Sequence, residues 1–143
     1  MLLGTHALRL DDKGRLFLPP RSRDELAGGV VMAKGQDRCV VLWPDAVFRD
    51  KAARASEVSR GNATVRSYLR VLFSSAYDQV PDRTGRITVP STLRDYAGLG
   101  RDVVLAGNND SFEIWDTNAW EAYLAAQEAT YAEQSEEVMP GLF

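Results

Sequence analysis

The sequence predicts an α+β fold, mostly β, in which one small unit occurs twice. The motif at residues 11–19 is repeated at residues 82–90, at a constant spacing of 71. Both copies consist of Asp-x-x-Gly-Arg followed by an apolar residue, any residue, an apolar residue and Pro. Short segments of alternating polarity, typical of strands, surround each copy, and segments of helical periodicity follow it. Two copies in 143 residues indicate a duplicated small domain and not a solenoid.

The first copy predicts a strand, a tight turn, a returning strand and a short helix, followed by two further strands. Residues 5–10 alternate in polarity, with Leu8 and Leu10 on one face. Asp11 and Gly14 are the residues of a turn, because Asp accepts bonds from its own backbone and Gly adopts a positive φ. The further elements are a strand at 16–18, a helix at 21–26 and strands at 30–32 and 39–42.

A helical connector and a second copy complete the chain. Residues 45–58 and a segment after Asn62 have helical composition or periodicity, and Asn62 is the predicted N-cap of the second of these helices. The second copy predicts strands at 76–80, 87–89, 103–105 and 112–115, a helix at 91–96 and a C-terminal helix at 116–133. The predicted domain limits are 5–47 for the first module, 48–75 for the connector, 76–119 for the second module and 120–143 for the helix and tail.

The composition argues against an enzyme and against a metal or cofactor protein. His6 and Cys39 are the single residues of their types, so neither a zinc site nor a His-dependent nucleophile is indicated. No glycine-rich phosphate loop is present. No apolar run approaches the roughly 20 residues that cross a bilayer, and the first residues do not resemble a secretory signal. We therefore expect a cytoplasmic protein with no catalytic residues, no cofactor, no small-molecule substrate and no membrane.

The charge of the chain is weakly negative and unevenly distributed. The net charge is −3, but residues 1–75 carry +5 and residues 76–143 carry −8. Residues 110–137 include eight acids and no Lys or Arg. Any anion-binding surface must therefore be local. The acidic C-terminal segment is either a solvated helix face or a surface for self-assembly against a basic neighbour.

The repeated turn is the feature with chemical content. Arg15 and Arg86 begin a strand directly after the turn. The pleat directs Arg15 and Phe17 away from Leu16 and Leu18, and it directs Arg86 and Thr88 away from Ile87 and Val89. A guanidinium on a rigid hairpin suits phosphate oxygens or the guanine edge in the major groove, with Lys13 or Arg83 as an additional cation. The alternative is that each arginine pairs with its own Asp and only holds the turn. The three tryptophans are expected in the core, and the arginines on the short helices, Arg21, Arg23 and Arg94, are expected to be solvated or paired.

The chain resembles the MraZ family of bacterial transcriptional regulators, which consist of two fused SpoVT-AbrB modules. The resemblance rests on both Asp-x-x-x-Arg turns and on the segments Gly4-Thr5-His6, Arg23-Asp24-Glu25-Leu26-Ala27-Gly28 and Leu93-Arg94-Asp95-Tyr96-Ala97-Gly98-Leu99. It implies two AbrB-like swapped or split β-barrel modules that form a pseudo-dimer within the chain.

The resemblance also implies a function. Chains of this family assemble into rings, and their turns contact double-stranded DNA at direct repeats in the promoter of the division and cell-wall gene cluster. It implies DNA contacts by Arg15 and Arg86, with Lys13 and Arg83 beside them, and turn-shaping by four residues: Asp11, Gly14, Asp82 and Gly85. A nucleoid-associated repressor is therefore expected. The alternative is an AbrB-like antitoxin or interaction module with an acidic C-terminal helix that binds a protein partner.

Overall fold

The computed structural model describes residues 1–58 and 61–143, and the side chains of residues 135 and 136 are outside the description. The part of the predicted connector at residues 59–60 also lies outside the described residues. The strands are β1 (Thr5–Arg9), β2 (Arg15–Phe17), β3 (Val30–Lys34), β4 (Val40–Pro44), β5 (Tyr77–Gln79), β6 (Arg86–Thr88), β7 (Asp102–Gly107) and β8 (Phe112–Asp116). The α-helices in the described ranges are α1 (Arg23–Leu26), α2 (Asp45–Ala55), α3 (Ala63–Ser75), α4 (Ser91–Ala97), α5 (Thr117–Tyr131) and α6 (Ser135–Val138). The predicted α+β class, mostly β and built from two repeated units, is confirmed.

Local sequence signals set several of these boundaries. The Asn62 side chain accepts hydrogen bonds from the backbone N–H of Thr64 at 2.8 Å and of Val65 at 3.2 Å, so the predicted N-cap of α3 is confirmed. Gly98 ends α4 in the left-handed conformation, with φ of 60°. Helix α2 ends at Ala55, three residues before the predicted limit of 58.

The eight strands form two sheets, and each module lends a strand to the other. A six-stranded antiparallel sheet has the order β1-β7-β8-β4-β3-β5, and β2 pairs with β6 in a separate two-stranded ribbon. Strand β1 of the first module therefore lies on the hairpin of the second, and β5 of the second lies on the hairpin of the first. Each exchanged strand covers the outer edge of the other module's hairpin, so each module's part of the large sheet is completed by a strand of the other module.

An approximate two-fold axis relates the modules. In the ribbon Leu16 pairs with Ile87, and in the large sheet Val41 pairs with Glu113. Each of these pairs joins residues that occupy the same position in the two copies of the repeat, so both pairs lie on the axis. The two Asp-x-x-x-Arg turns are consequently presented at opposite ends of one ribbon.

One hydrophobic core joins the ribbon to the large sheet. It contains apolar residues of both modules: Leu2, Leu10, Leu16, Leu18, Leu26, Val30, Met32, Val40, Leu42, Ile87, Val89, Leu93, Val103, Leu105, Phe112 and Ile114. Of the tryptophans predicted in the core, Trp115 is buried, whereas Trp43 and Trp120 are half-buried. Trp43 on β4 packs against Phe48 of α2, and Trp120 on α5 packs against Trp115 of β8. No helix within the described ranges is long and apolar enough to cross a membrane.

Candidate nucleic-acid interface

The first turn is held together by the carboxylate of Asp11. Its Oδ1 accepts hydrogen bonds from the backbone N–H of Lys13 and of Arg15, both at 2.9 Å. The Gly14 N–H donates to the Asp11 carbonyl at 3.0 Å, and Gly14 has a φ of 77°. A residue with a Cβ is strained at this φ. The Asp and Gly positions of the motif therefore specify the backbone of the turn.

The second turn repeats this arrangement with one additional bond. Oδ1 of Asp82 accepts from the backbone N–H of Thr84 at 3.0 Å and of Arg86 at 2.9 Å. The Thr84 hydroxyl also donates to Oδ1, at 2.7 Å. Gly85 has a φ of 82°. The hydroxyl contact has no counterpart at Lys13, so the two turns have the same backbone geometry but different side-chain chemistry.

Each arginine of the motif pairs with the aspartate of its own turn. Arg15 Nε donates to Asp11 Oδ2 at 2.7 Å, and Arg86 Nε donates to Asp82 Oδ2 at 2.8 Å. Both arginine side chains remain about one-third exposed, at 32% and 31%. The guanidinium groups also carry Nη1 and Nη2, for which the described part of the chain supplies no hydrogen-bond acceptor. Pairing with Asp and presentation of donors to a ligand are therefore compatible in the same side chain.

The hydrogen bonds keep both aspartates ionised. The backbone N–H of Arg15, followed by its guanidinium and the Lys13 N–H, holds the pKa of Asp11 below its usual value. The backbone N–H of Arg86 and the Thr84 hydroxyl lower the pKa of Asp82 more strongly. A charged carboxylate at neutral pH fixes the plane of the guanidinium that it accepts from.

The ribbon β2–β6 brings both arginines to one face. Arg15 pairs with Thr88 and Phe17 pairs with Arg86, so these four side chains alternate with the buried pair Leu16 and Ile87. Diagonal neighbours on one face of an antiparallel pair lie roughly 7–8 Å apart, with their Cβ atoms somewhat closer, which is the relation between Arg15 and Arg86. The predicted direction of the pleat is confirmed, since Leu16 is 1% exposed and Phe17 is 53% exposed.

Phe17 is an exposed aromatic residue between the two turns. The Arg86 guanidinium carbon lies 5.8 Å from the centre of the Phe17 ring, a cation–π distance. We define the ribbon face as the outward side chains Arg15, Phe17, Arg86 and Thr88. Sequence reasoning directed Phe17 outward but gave it no role; its signal was an aromatic residue at an outward strand position.

The two further predicted cations lie at different places in their turns. Lys13 is the third residue of the first turn, whereas Arg83 is the second residue of the other, and both are exposed. Neither forms an ion pair within the described ranges. The sequence missed two other arginines, Arg23 and Arg94, which are half-buried beside the glycines of the turns. Their repetition at the spacing of 71 was the available signal.

The surroundings of His6 differ from those of a catalytic histidine. Its Nε2 lies 3.2 Å from the carbonyl oxygen of Leu3, and its ring packs edge-on against Phe112 at 5.8 Å. The adjacent hollow of about 480 Å³ is lined by Met1, Leu3, Gly4, Thr5, His6, Arg21 and Ser22, without a carboxylate. Among the described residues no group of His, Cys, Asp and Glu side chains is arranged to hold a metal ion.

A family profile and individual relatives agree on the family to which this sequence is similar. The sequence profile described as "MraZ protein, putative antitoxin-like" matches the chain twice, at residues 1–71 and 72–139. The chain is 56% identical over 142 residues to a transcriptional regulator MraZ of Frankia casuarinae, a match that covers 99% of each chain. It is 52% identical to the protein of that name from Salinispora arenicola, over 99% of this chain and 100% of the relative. It is also 51% identical to the one from Thermobifida fusca, over 99% of each chain. Since the profile covers both halves and the relatives match over their full length, this chain belongs to the MraZ family.

Proposed function

We propose that the chain is a DNA-binding transcriptional regulator that contacts double-stranded DNA with the ribbon face. The observation that carries the proposal is the pair of guanidinium groups that the β2–β6 ladder holds on one face, each fixed by its own Asp. The major groove is about 12 Å wide and admits a two-stranded β-ribbon. Arg15 and Arg86 would contact DNA directly, and Lys13 and Arg83 would contact neighbouring phosphates. The name of the relatives supports a role in transcription.

The small positive charge of the two turns limits how strongly one chain binds DNA. Residues 11–15 and 82–86 contain four cations and three acids, so their formal charge is +1. Binding through phosphate neutralisation increases with the number of contacts, and so few cations give one chain a weak hold on DNA. Several chains bound to spaced sites would gain affinity through effective concentration. We therefore propose that the regulator acts as a homo-oligomer, in which the turns of several chains lie on one side.

The distribution of charge and apolar surface supports a ring. Helix α3 exposes Tyr68 and Val71 in the basic half of the chain, while α5 exposes Tyr123 and Leu124 in the acidic half. A contact between the basic half of one chain and the acidic half of the next is head-to-tail, and such contacts form a ring when the rotation between neighbours closes and an open filament when it does not. Chains related in this way have the same direction along DNA, which fits direct repeats and not inverted ones.

The finer proposal concerns the target. Within the family resemblance the regulator binds direct repeats in the promoter of the division and cell-wall gene cluster and represses it, as a cytoplasmic, nucleoid-associated protein without enzymatic activity. The domain limits 5–47, 48–75, 76–119 and 120–143 remain a proposal of the same kind.

A second candidate is an interaction module whose partner binds helix α5. The family description "antitoxin-like" and the exposed acidic α5 favour it. Such a module would bind its partner through α5 and would be indifferent to changes at the ribbon face.

The test is the double variant Arg15→Ala with Arg86→Ala, bound to a duplex of the chain's own upstream promoter. We expect no mobility shift at protein concentrations at which the unmodified chain is fully bound. In titrations at higher protein concentration, the slope of log K against log salt should decrease by up to about 1.8, since each phosphate contact contributes about 0.9. The matched control is Arg49→Ala with Arg54→Ala, which removes two arginines that also pair with an Asp four residues away, but on α2. Oligomer mass is measured for both. Normal binding by the ribbon variant, or equal loss in the control, would contradict the proposal.

A further inference from the structure

Two arginines outside the Asp-x-x-x-Arg motif occupy equivalent places at the two ends of the ribbon. Arg23 begins α1, and its Nε donates to the carbonyl oxygen of Leu18 at 3.1 Å. Arg94 in α4 donates to the carbonyl oxygen of Val89 at 3.0 Å. Leu18 and Val89 directly follow β2 and β6, so each arginine is anchored to the end of its own module's ribbon strand.

The guanidinium groups then lie against the turns of the opposite modules. A Cβ on Gly14 would lie 2.8 Å from Arg94 Nε and 2.9 Å from its Cζ. A Cβ on Gly85 would lie 2.6 Å from Arg23 Nε and 2.8 Å from its Cζ. Real Cβ atoms do not approach other atoms so closely. At Gly14 the carbonyl oxygen of Val89 would also lie 2.9 Å from such a Cβ, so glycine is favoured there for space as well as for its positive φ. At Gly85 the close atoms belong to the Arg23 side chain, which can move, so the positive φ is the main requirement for glycine.

Backbone bonds connect the same residues. The Val89 N–H donates to the Gly14 carbonyl and the Leu18 N–H donates to the Gly85 carbonyl, both at 2.8 Å. Each turn thus rests on the other module at two points, a backbone bond and a guanidinium. The guanidinium is planar and half-buried, and it fills the space that the glycine leaves open.

We propose that Arg94 is a positioning residue for the turn at residues 11–15, and that Arg23 is a positioning residue for the turn at residues 82–86. Each arginine holds the DNA-contacting turn of the opposite module, so the direction of Arg15 depends on α4 and that of Arg86 depends on α1. The proposal rests on the proposed function for its effect on DNA, whereas the contacts themselves do not depend on it. Arg94 is close to Arg86 in sequence and far from Arg15. A coupling of Arg94 to Arg15 and not to Arg86 is therefore a specific result that the proposal predicts.

The first experiment is a double-mutant cycle on promoter DNA, measured with the full chain. Arg94→Ala should weaken binding about tenfold, within the range of couplings between contacting residues. Arg94→Ala should have the same effect in an Arg86→Ala background and almost none in an Arg15→Ala background. The reason is that Arg94 holds the turn at residues 11–15, whose DNA contact the Arg15→Ala variant has already lost. Equal losses in both backgrounds, or coupling to Arg86 alone, would overturn the proposal.

The second experiment needs no DNA. Amide hydrogen exchange of the free protein should become about tenfold faster at Gly14 and Arg15 in Arg94→Ala, and stay unchanged at the equivalent amides of the other turn. Arg23→Ala should give the mirror result. The control Arg21→Ala removes an exposed cation next to α1 and should change neither turn.

The conservative variant Arg94→Lys separates positioning from charge. Lysine keeps the cation but lacks the planar group and the Nε donor, so we expect the same fast exchange as in Arg94→Ala. Full rescue by lysine, or unchanged exchange in Arg94→Ala, would overturn the positioning role. If the unmodified chain fails to bind its promoter, the proposed function is wrong, while the exchange measurement alone still decides whether Arg94 holds the turn.

Discussion

Replacing Gly107 with alanine should detach the beginning of the chain from the large sheet. A Cβ on Gly107 would lie 2.6 Å from the carbonyl oxygen of Leu2 and still closer to Cα of Leu3, so backbone atoms would have to move. Leu2 and Asn109 exchange two backbone bonds of 2.7 and 3.0 Å, and the Gly107 N–H donates to Gly4 at 2.7 Å. The Leu2 side chain is 1% exposed in the core.

The expected loss follows from these contacts. Exposing one buried leucine costs about 1.5–3 kcal/mol, and each lost backbone bond adds about 1 kcal/mol. Partial relaxation of the segment brings the expected destabilisation to about 3 kcal/mol, which lowers the thermal midpoint of a chain of this size by about 10 °C. The measurement is unfolding followed by circular dichroism, in heat and in urea.

Two controls make this prediction refutable. A Cβ on Gly28 meets no heavy atom within 4 Å, so Gly28→Ala should change stability by less than about 0.5 kcal/mol. Deletion of residues 1–3 should cause a loss similar to that of Gly107→Ala, and combining the two should add little, because the clashing atoms are gone. An unchanged midpoint in Gly107→Ala, or additive losses, would refute the reasoning.

Three further predictions concern the turns, the ribbon face and the thiol. Because the folded state depresses the pKa of Asp82, its stabilising contribution is complete above the unfolded pKa of about 3.9 and is lost as the pH falls through the folded pKa. Asp82→Asn should therefore be less stable than the unmodified chain at pH 7 and should lose less stability between pH 6 and pH 2. An unchanged loss of stability in acid would contradict this. Phe17→Ala should change the free energy of unfolding by less than about 0.5 kcal/mol because the ring is 53% exposed, while promoter affinity decreases several-fold. Loss of stability without loss of affinity would argue against a role of Phe17 at the interface. Burial, reinforced by Glu113, raises the pKa of Cys39 to about 12, so a thiol reagent at pH 8 should label it only after unfolding, and rapid labelling of the native chain would refute its burial.

Much of the fold could be predicted because it depends on local chemistry. The turns follow from an aspartate that accepts N–H groups two and four residues ahead and from a glycine with positive φ. The beginning of α3 follows from Asn62, and the end of α4 follows from Gly98. Strand alternation directed Leu16 inward and Phe17 outward. Each of these signals acts within about five residues, and the sequence displays it directly.

The candidate site was predicted only in part. The motif identified Arg15 and Arg86 but left open whether each guanidinium projects outward or folds onto its Asp. The structure shows the Nε bond to Asp together with partial exposure of the side chain. Arg23 and Arg94 were expected to be solvated or paired, and they lie instead against the glycines of the opposite turns. Their partners are distant in the chain, so no local pattern indicates them.

By itself the sequence determined the duplication, the order of strands and helices and the chemistry of both turns, since periodicity and turn residues express short-range sterics and hydrogen bonding. Only the tertiary structure decided which hairpin receives β1, that β2 and β6 form one ribbon, and that each turn is braced by the other module. The physical reason is that the two copies have the same order of elements. Either hairpin offers β1 an edge with free backbone bonds, so the choice depends on closing one core around residues of both modules.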